Sequence, residues 1–264
     1  MTRTHLKHWR FYMDGVDLSG YARQIGALDW KFGAEPDAAL TDAVKNILIG
    51  QSELAMGPLN AFLDNDTAGL LASFGTATNG KGTRTVTAVM GANAAPVAGS
   101  LVYSWQFEQT AYTVEPGTGF VAATVPFGGA SSQSTLTYKR PWGVLLRPKE
   151  TRLSSAGIYA DAGIDDYGAS PPELGGIFIY HLFTSNGTLT LSAQDAAVNN
   201  DGGFADSGIA AATSGEIDAT TAPKHDMVAL ATNAAVRRYL RGQIAWGTAT
   251  TATYATAFIR NTLA

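Results

Sequence analysis

Four histidines, one glycine-rich loop and two acidic clusters are the residues whose types and spacing could do chemistry. His5, His8, His181 and His225 are scattered, and no H-E-x-x-H spacing sets two of them on one helical face to hold a metal. His181 stands in the apolar run 177–183 (IFIYHLF), which reads as a packed or hydrogen-bonded core histidine. Serines are plentiful, but no G-x-S-x-G elbow anchors a Ser/His/Asp set. Residues 75–82 (GTATNGKG) nearly spell a phosphate-binding loop, yet Gly82 stands where a Mg²⁺-ligating hydroxyl is needed. That loop also leads into a strand-like stretch, not into the helix N-terminus that would hold phosphate, so it reads as a turn. Residues 195–206 (DAAVNNDGGFAD) gather oxygen ligands without the EF-hand spacing, and Asn or Asp before Gly is what tight turns favour. Asp165 and Asp166 are adjacent on a glycine-rich stretch and point apart, not across a cleft, which reads as a solvated linker. The chain has no cysteine, so thiolate metal sites, disulfides and thiol nucleophiles are excluded together. No catalytic, cofactor-binding or metal-binding residue is assigned, no cofactor is expected, and an enzyme is not the reading taken.

Aromatic and basic residues give the same answer. Trp105 and Phe107 alternate along one strand pattern and read as core, while Trp9, Phe11, Trp30 and Phe32 flank glycine-containing turns. Those four could form a sugar platform, but packing and subunit contact are the preferred reading. Arg237, Arg238 and Arg241 are the one local basic cluster; placed on a strand they fall on both faces, which makes no nucleic-acid stripe.

The elements that would position these residues are mostly strands. The 264 residues are 45% hydrophobic, enough for a substantial core, and only 15% charged, against about 25% in typical domains. The net charge is −4, the wrong sign for a basic nucleic-acid face. No apolar stretch approaches the ~18 residues of a membrane-spanning helix, and the basic opening turns polar at once without a secretory apolar region. Turn residues recur about every ten positions between short alternating runs. Strands are expected over 83–90, 101–108, 119–127, 188–194, 236–245 and 254–260. One short helix is expected at 64–74, where Asp64, Asn65 and Asp66 can cap a short apolar stripe that stops at Gly75. Residues 37–49 carry Leu40, Val44, Ile47 and Leu48 at helical spacing, and read either as an amphipathic helix or as a loop that orders on a neighbour. Residues 154–176 are turn-rich, with Pro171-Pro172. Charge shifts there as well, from 13 basic and 12 acidic residues over 1–160 to 5 and 10 over 161–264.

Against this background the two ends resemble the major tail proteins, or tail tube proteins, of long-tailed siphovirus-like bacteriophages. The opening 11–21 (FYMDGVDLSGY) resembles their Y-x-D-G-x-D-L-S start, and 62–71 (FLDNDTAGLL) looks like their passage from strand to helix. The closing stretches 187–195 (GTLTLSAQD), 235–241 (AVRRYLR) and 254–260 (YATAFIR) are similar to their C-terminal module, in the same order. Residues 129–176 carry no likeness.

The resemblance implies a tail-tube-type β-sandwich or barrel with one short helix and a long loop, followed by a C-terminal β-sandwich or a second tube-like half. It implies a tube domain at 1–155, a linker at 156–176 and a C-terminal β domain at 177–264. It implies a structural virion protein, assembled in the host cytoplasm, that stacks as rings into the tail tube through which the genome is ejected. The expected partners are further copies of itself, as six subunits or a pseudo-six-fold trimer. Others are the tape measure protein and DNA transiently in the lumen, and terminator and tail-tip proteins at the ends. Leu40, Val44, Ile47 and Leu48 are the expected inter-ring contacts. The alternative is a virion-surface decoration or glycan-binding β-sandwich module.

Overall fold

A computed structural model describes residues 8–37, 46–63, 82–92, 94–116, 121–130, 141–154, 158–166, 175–205, 209, 212–220, 223–231 and 234–261, with the backbone alone described at 30–37, 46–53, 130 and 158–159. The described chain is mostly β. Its first strands are β1 (Arg10–Met13), β2 (Val16–Asp17), β3 (Ala22–Ile25), β4 (Leu28–Asp37), β5 (Asn46–Met56), β6 (Leu59–Phe62) and β7 (Gly82–Val89). Then come β8 (Leu101–Gln109), β9 (Thr113–Pro116), β10 (Val121–Val125), β11 (Phe127–Ala130), β12 (Trp142–Leu153), β13 (Ile158–Ala160) and β14 (Ile164–Asp165). The remainder are β15 (Gly176–Ser185), β16 (Thr188–Ala196), the short helix α1 (Asp201–Ala205), β17 (Thr213–Asp218), β18 (Lys224–Ala229), β19 (Tyr239–Trp246) and β20 (Thr251–Arg260).

The chain folds into two compact units, the first from Met1–Gly20, Arg84–Trp105 and Leu136–Ala264, the second from Tyr21–Thr83 and Gln106–Thr135. In the first unit β18, β15, β20 and β12 run side by side, β12 continues to β8, and β1, β2 and β7 extend that sheet. A second sheet runs β13-β19-β16-β17, with β14 also on β19. Phe178, Leu182, Tyr254 and Phe258 of the first sheet meet Leu189, Leu191, Leu240 and Ile244 of the second in one buried cluster. Each such side chain removed from water contributes roughly 1.5–3 kcal/mol. Strand β16 shows why the sequence was readable here: its buried and half-buried residues alternate, with Leu189, Leu191, Ala193 and Asp195 on the buried face. Strand β20, paired with β12 on one side and β15 on the other, is buried on both faces from Tyr254 onward.

In the second unit β4 and β5 form a long hairpin, β11 pairs with β5, and the end of β8 pairs with β11. A separate sheet runs β3-β6-β10-β9. Two glycines let the chain turn from one sheet to the other. The Gly26 amide donates to the Pro58 carbonyl and the Gly57 amide to the Ala27 carbonyl. A Cβ on Gly26 would stand 2.5 Å from the backbone of Gly57, so no larger residue fits the corner.

Several expectations are corrected in detail. Residues 46–49 are strand, with Ile47 opposite Pro36 and Leu48 opposite Glu35, so the helical spacing across 37–49 does not continue to its end. The β-branched and glycine-containing run NILIGQ suits the period of two that the hairpin imposes. Leu40 and Val44, and the expected helix at 64–74, lie outside the described residues. A helix is found at α1, inside a segment read as a turn; Asn200 caps it by accepting from the Gly203 amide. Pro126 divides the expected strand 119–127 into β10 and β11, since proline cannot donate to a ladder. Within the turn-rich stretch 154–176, β13 and β14 are strands that both pair with β19. Strand β19 begins at Tyr239, leaving Arg237 and Arg238 in the connection before it.

Candidate functional site

The grouping closest to catalytic chemistry is a buried polar chain in the first unit. Asp14 and Gly15 form the two-residue turn of the β1–β2 hairpin, with Tyr12 opposite Asp17, Met13 opposite Val16, and φ of 50° and 77° at the turn residues. This is the left-handed turn that an Asp-Gly pair favours. Its geometry aims the Gly15 amide at His181 Nδ1, 3.2 Å away, while Nε2 lies 2.8 Å from Thr87 Oγ1. Nδ1 must accept from the amide, which leaves the imidazole proton on Nε2, donating to Thr87. Thr87 donates to Ser104 at 2.7 Å, and Ser104 donates to the Val86 carbonyl at 2.7 Å. Burial, and second the nearby His225, push the His181 pKa down to about 3, so the ring is neutral at neutral pH. A serine whose proton faces a carbonyl, beside an imidazole with no lone pair to receive it, is not activated as a nucleophile. The chain instead ties β1, β7, β8 and β15 together, and His181 is the hydrogen-bonded core histidine that the run IFIYHLF suggested.

The same turn anchors its acid. Asp14 accepts from the Thr85 amide at 2.8 Å and from Arg84 at 3.0 Å, with His225 Nε2 3.5 Å away. Asp17 accepts from the amide and hydroxyl of Ser19, and the Phe11 amide donates to Ser19 Oγ. The stretch 11–21 is therefore held by turn chemistry, which an Asp-Gly pair between apolar runs signals in a sequence.

The two adjacent acids do point apart, but only one is solvated. Asp165 takes a bidentate pair with Arg238 at 2.8 and 2.6 Å, both half exposed. Asp166 is half-buried and pairs at 2.8 Å with the buried Arg260, with side-chain exposures of 12% and 5%. Arg260 also donates to the Val236 and Arg237 carbonyls. The solvated-linker reading is thus corrected for Asp166. Asp166→Ala should cost about 3 kcal/mol, because it leaves a buried guanidinium short of its counter-charge. Asp165→Ala should change stability little, since its pair is open to water. Urea unfolding of the two variants checks this contrast.

The basic cluster is likewise engaged. Arg241 donates to Gln194 and Asp201, each at 2.8 Å, and its guanidinium lies over Phe204. The Arg237 amide donates to Asp195, which is fully buried. Asp195 and Asp201 are thereby committed to protein partners, and among the described residues no group of three His, Cys, Asp or Glu could hold a metal. Of the aromatics, Trp105 and Phe107 are core as expected, and Phe11, at 1% exposure, is buried and cannot serve a sugar platform.

What the second unit presents outward are strand edges. Among the described residues β3 and β9 each pair on one side only, with β6 and β10 respectively. All four residues of β9 are exposed, Val114 among them at 43%, with Val121 of β10 beside it at 39%. The direction of the β9 backbone follows from its neighbour. The Val121 carbonyl accepts from Leu63 on the β6 side, so Val121 and Ala123 turn their polar groups toward β6, and Ala122 and Thr124 turn theirs toward β9. Their partners Glu115 and Thr113 complete that ladder, which leaves the N–H and C=O of Val114 facing away from the sheet. Proline is tolerated at position 116 for the same reason. The edges differ in charge, with Arg23 on β3 and Glu115 on β9.

No family model matches the chain, and no curated protein matches it either. Among solved structures the chain is similar to the SPP1 Dit (gp 19.1) protein, described as a paradigm of the hub adsorption apparatus in Gram-positive infecting phages. The match has 14% identity and a TM-score of 0.32, and covers 95% of this chain and 99% of that one. A likeness of this degree sets neither the fold nor the role of the present chain.

Proposed function

We propose that the chain is a structural protein of a phage tail, and specifically a tail tube subunit that closes into rings and stacks them into a conduit for the genome. The sequence resemblance at both ends supports this reading. The observation that carries it is the four-stranded sheet of the second unit, whose edges β3 and β9 are short, oppositely charged and, among the described residues, each paired on one side only. An exposed edge is a template for another strand, and protein sheets normally cover or disrupt it. Pairing β9 of one copy with β3 of the next is a heterologous contact, which closes when the rotation divides a circle. Six copies, or three with two tube-like halves each, would form the ring. The lumen would admit the tape measure protein and then DNA, and the ends would meet terminator and tip proteins. A net charge of −4 suits a conduit from which phosphate slides, where a basic wall would retain it.

Ring stacking falls to the β4–β5 hairpin and residues between its strands. Leu40, Val44, Ile47 and Leu48 are the proposed contacts with the adjacent ring. Leu48→Asp is expected to leave a soluble subunit and abolish stacking, since a charge in a buried inter-ring contact has no partner. Sedimentation velocity reads the result: wild-type protein forms large assemblies and the variant stops at the subunit or single ring. Assemblies of wild-type size from the variant would contradict the assignment.

A further inference from the structure

The outward backbone groups of β3 follow from the same ladder that orients β9. Leu59 and Ala61 turn their N–H and C=O toward β10, because their partners Val125 and Ala123 share the alternation of the Val121–Leu63 pair. Asn60 and Phe62 therefore face β3, where Asn60 stands opposite Gln24 and the Phe62 amide donates to the Tyr21 carbonyl. Gly26 also turns toward β6, its amide donating to the Pro58 carbonyl. Ile25, between Gln24 and Gly26 and opposite Leu59, is left with its N–H and C=O facing away from the sheet. Val114 is placed in the same way on β9. Direction is set as well: β3, β6, β10 and β9 are antiparallel in succession, so the two edges run in opposite directions. A head-to-tail repeat around a ring keeps that relation, and the joint is antiparallel.

We propose that β9 of one copy joins β3 of the next in a single register, with Val114 directly opposite Ile25 and each donating its N–H to the other's carbonyl. This rests on the ring reading above and names the contact within it. The side-chain pattern selects the same register. Val114 stands opposite Ala123 within its own sheet and Ile25 opposite Leu59, both of them buried, so the pair continues the apolar face across the joint. Glu115 then falls opposite Gln24, on the face that carries Asn60 and Thr124, and one residue from Arg23. A slip of one residue would set Val114 against Gln24, whose side chain lies on the polar face and whose backbone groups already serve β6. A slip of two is opposed in both directions. Pro116 opposite Ile25 has no N–H to give, and Arg23 opposite Val114 is the extra residue of the bulge between Ala22 and Gln24.

The chain has no cysteine, so disulfide trapping of the full-length protein starts from a silent background. In this register residues 24 and 115 form a non-hydrogen-bonded pair, about 4.5 Å apart at Cα and within the span of a disulfide. Assemblies of the double variant Gln24→Cys with Glu115→Cys, treated with a mild oxidant, should give a ladder of covalent multimers on a non-reducing gel, ending at the copy number of the ring. The shifted pair, Gln24→Cys with Val114→Cys, points its sulfurs to opposite faces and should stay monomeric on the gel. Val114→Cys with Ile25→Cys, also in register, should give the same ladder and serves if the first variant does not assemble. Assemblies that cross-link through the shifted pair alone, or through none of the three, overturn the register and leave the ring reading standing. A wild-type chain that never assembles overturns that reading, and the register with it.

Discussion

Replacing Val114 with proline is expected to abolish ring closure while leaving the subunit folded. Proline removes the N–H at 114, and that N–H faces away from β10, so the ladder between β9 and β10 keeps its hydrogen bonds. The residue before a proline is held in extended conformation, which Thr113 already adopts in β9. Val114 is 43% exposed, so little core contact is lost. Within one subunit the substitution is therefore close to neutral. Between subunits it removes a hydrogen bond and sets a ring of carbons against the incoming strand, which is how natural edge strands are blunted. A six-fold or pseudo-six-fold ring repeats the defect at every interface, so the effect on assembly is multiplied. Size-exclusion chromatography with light scattering should show wild-type protein in assemblies and the Val114→Pro variant as a folded monomer with an unchanged melting temperature. Assemblies of wild-type size from this variant would place the subunit contact elsewhere.

The largest expected effect on the subunit itself is a loss of stability in mild acid, traceable to His181. The imidazole is fully buried and neutral, with a pKa pushed down to about 3 from the ordinary 6.5. Between these values the unfolded chain binds a proton that the native chain does not. Stability from this residue is therefore complete above pH 6.5 and declines as pH falls toward 3, by up to about 1.4 kcal/mol per unit. Two units of acidification remove about 3 kcal/mol, a large part of the roughly 5–15 kcal/mol typical of a domain. Protonating Nδ1 would also turn the acceptor for the Gly15 amide into a second donor facing that N–H, while Nε2 goes on donating to Thr87. Unfolding free energies from pH 4.5 to 7, where most carboxylates stay ionised, should fall steeply for the wild type. The His181→Gln variant, less stable at pH 7, should show a much flatter profile. Equal slopes would mean that another group governs the acid transition.

Much of the fold was legible where burial imposes a period of two. Strand β16 follows the alternation read from its residues, and β8 does so from Trp105 onward, while β7 and β20 form where expected but are buried on both faces over most of their length. Strand β12 was not legible. Its run WGVLLRPKETRL is apolar for three consecutive residues and then charged, which follows no single face. Charge tolerated inside that strand depends on Asp161, Glu150 and Asp17, contributed by distant parts of the chain or by a bulged register. The Asp-Gly turn at 14–15 carried a signal in its dipeptide, but its partners Arg84, Thr85 and His181 are far away in sequence. Asp166 looked like its neighbour because composition cannot distinguish a solvated acid from one placed against Arg260. Conversely, Ile47 and Leu48 imitate a helical stripe, and only the pairing with β4 shows their period to be that of a hairpin.

Negative-stain electron microscopy of the full-length wild-type chain over a concentration series, with and without sonicated assemblies as seeds, tests the central claim most directly. Tubes or stacked rings with a regular axial repeat and an open channel are the predicted result. A chain that remains a folded monomer at every concentration, seeded or not, would contradict the tube subunit assignment and favour a monomeric module on the virion surface.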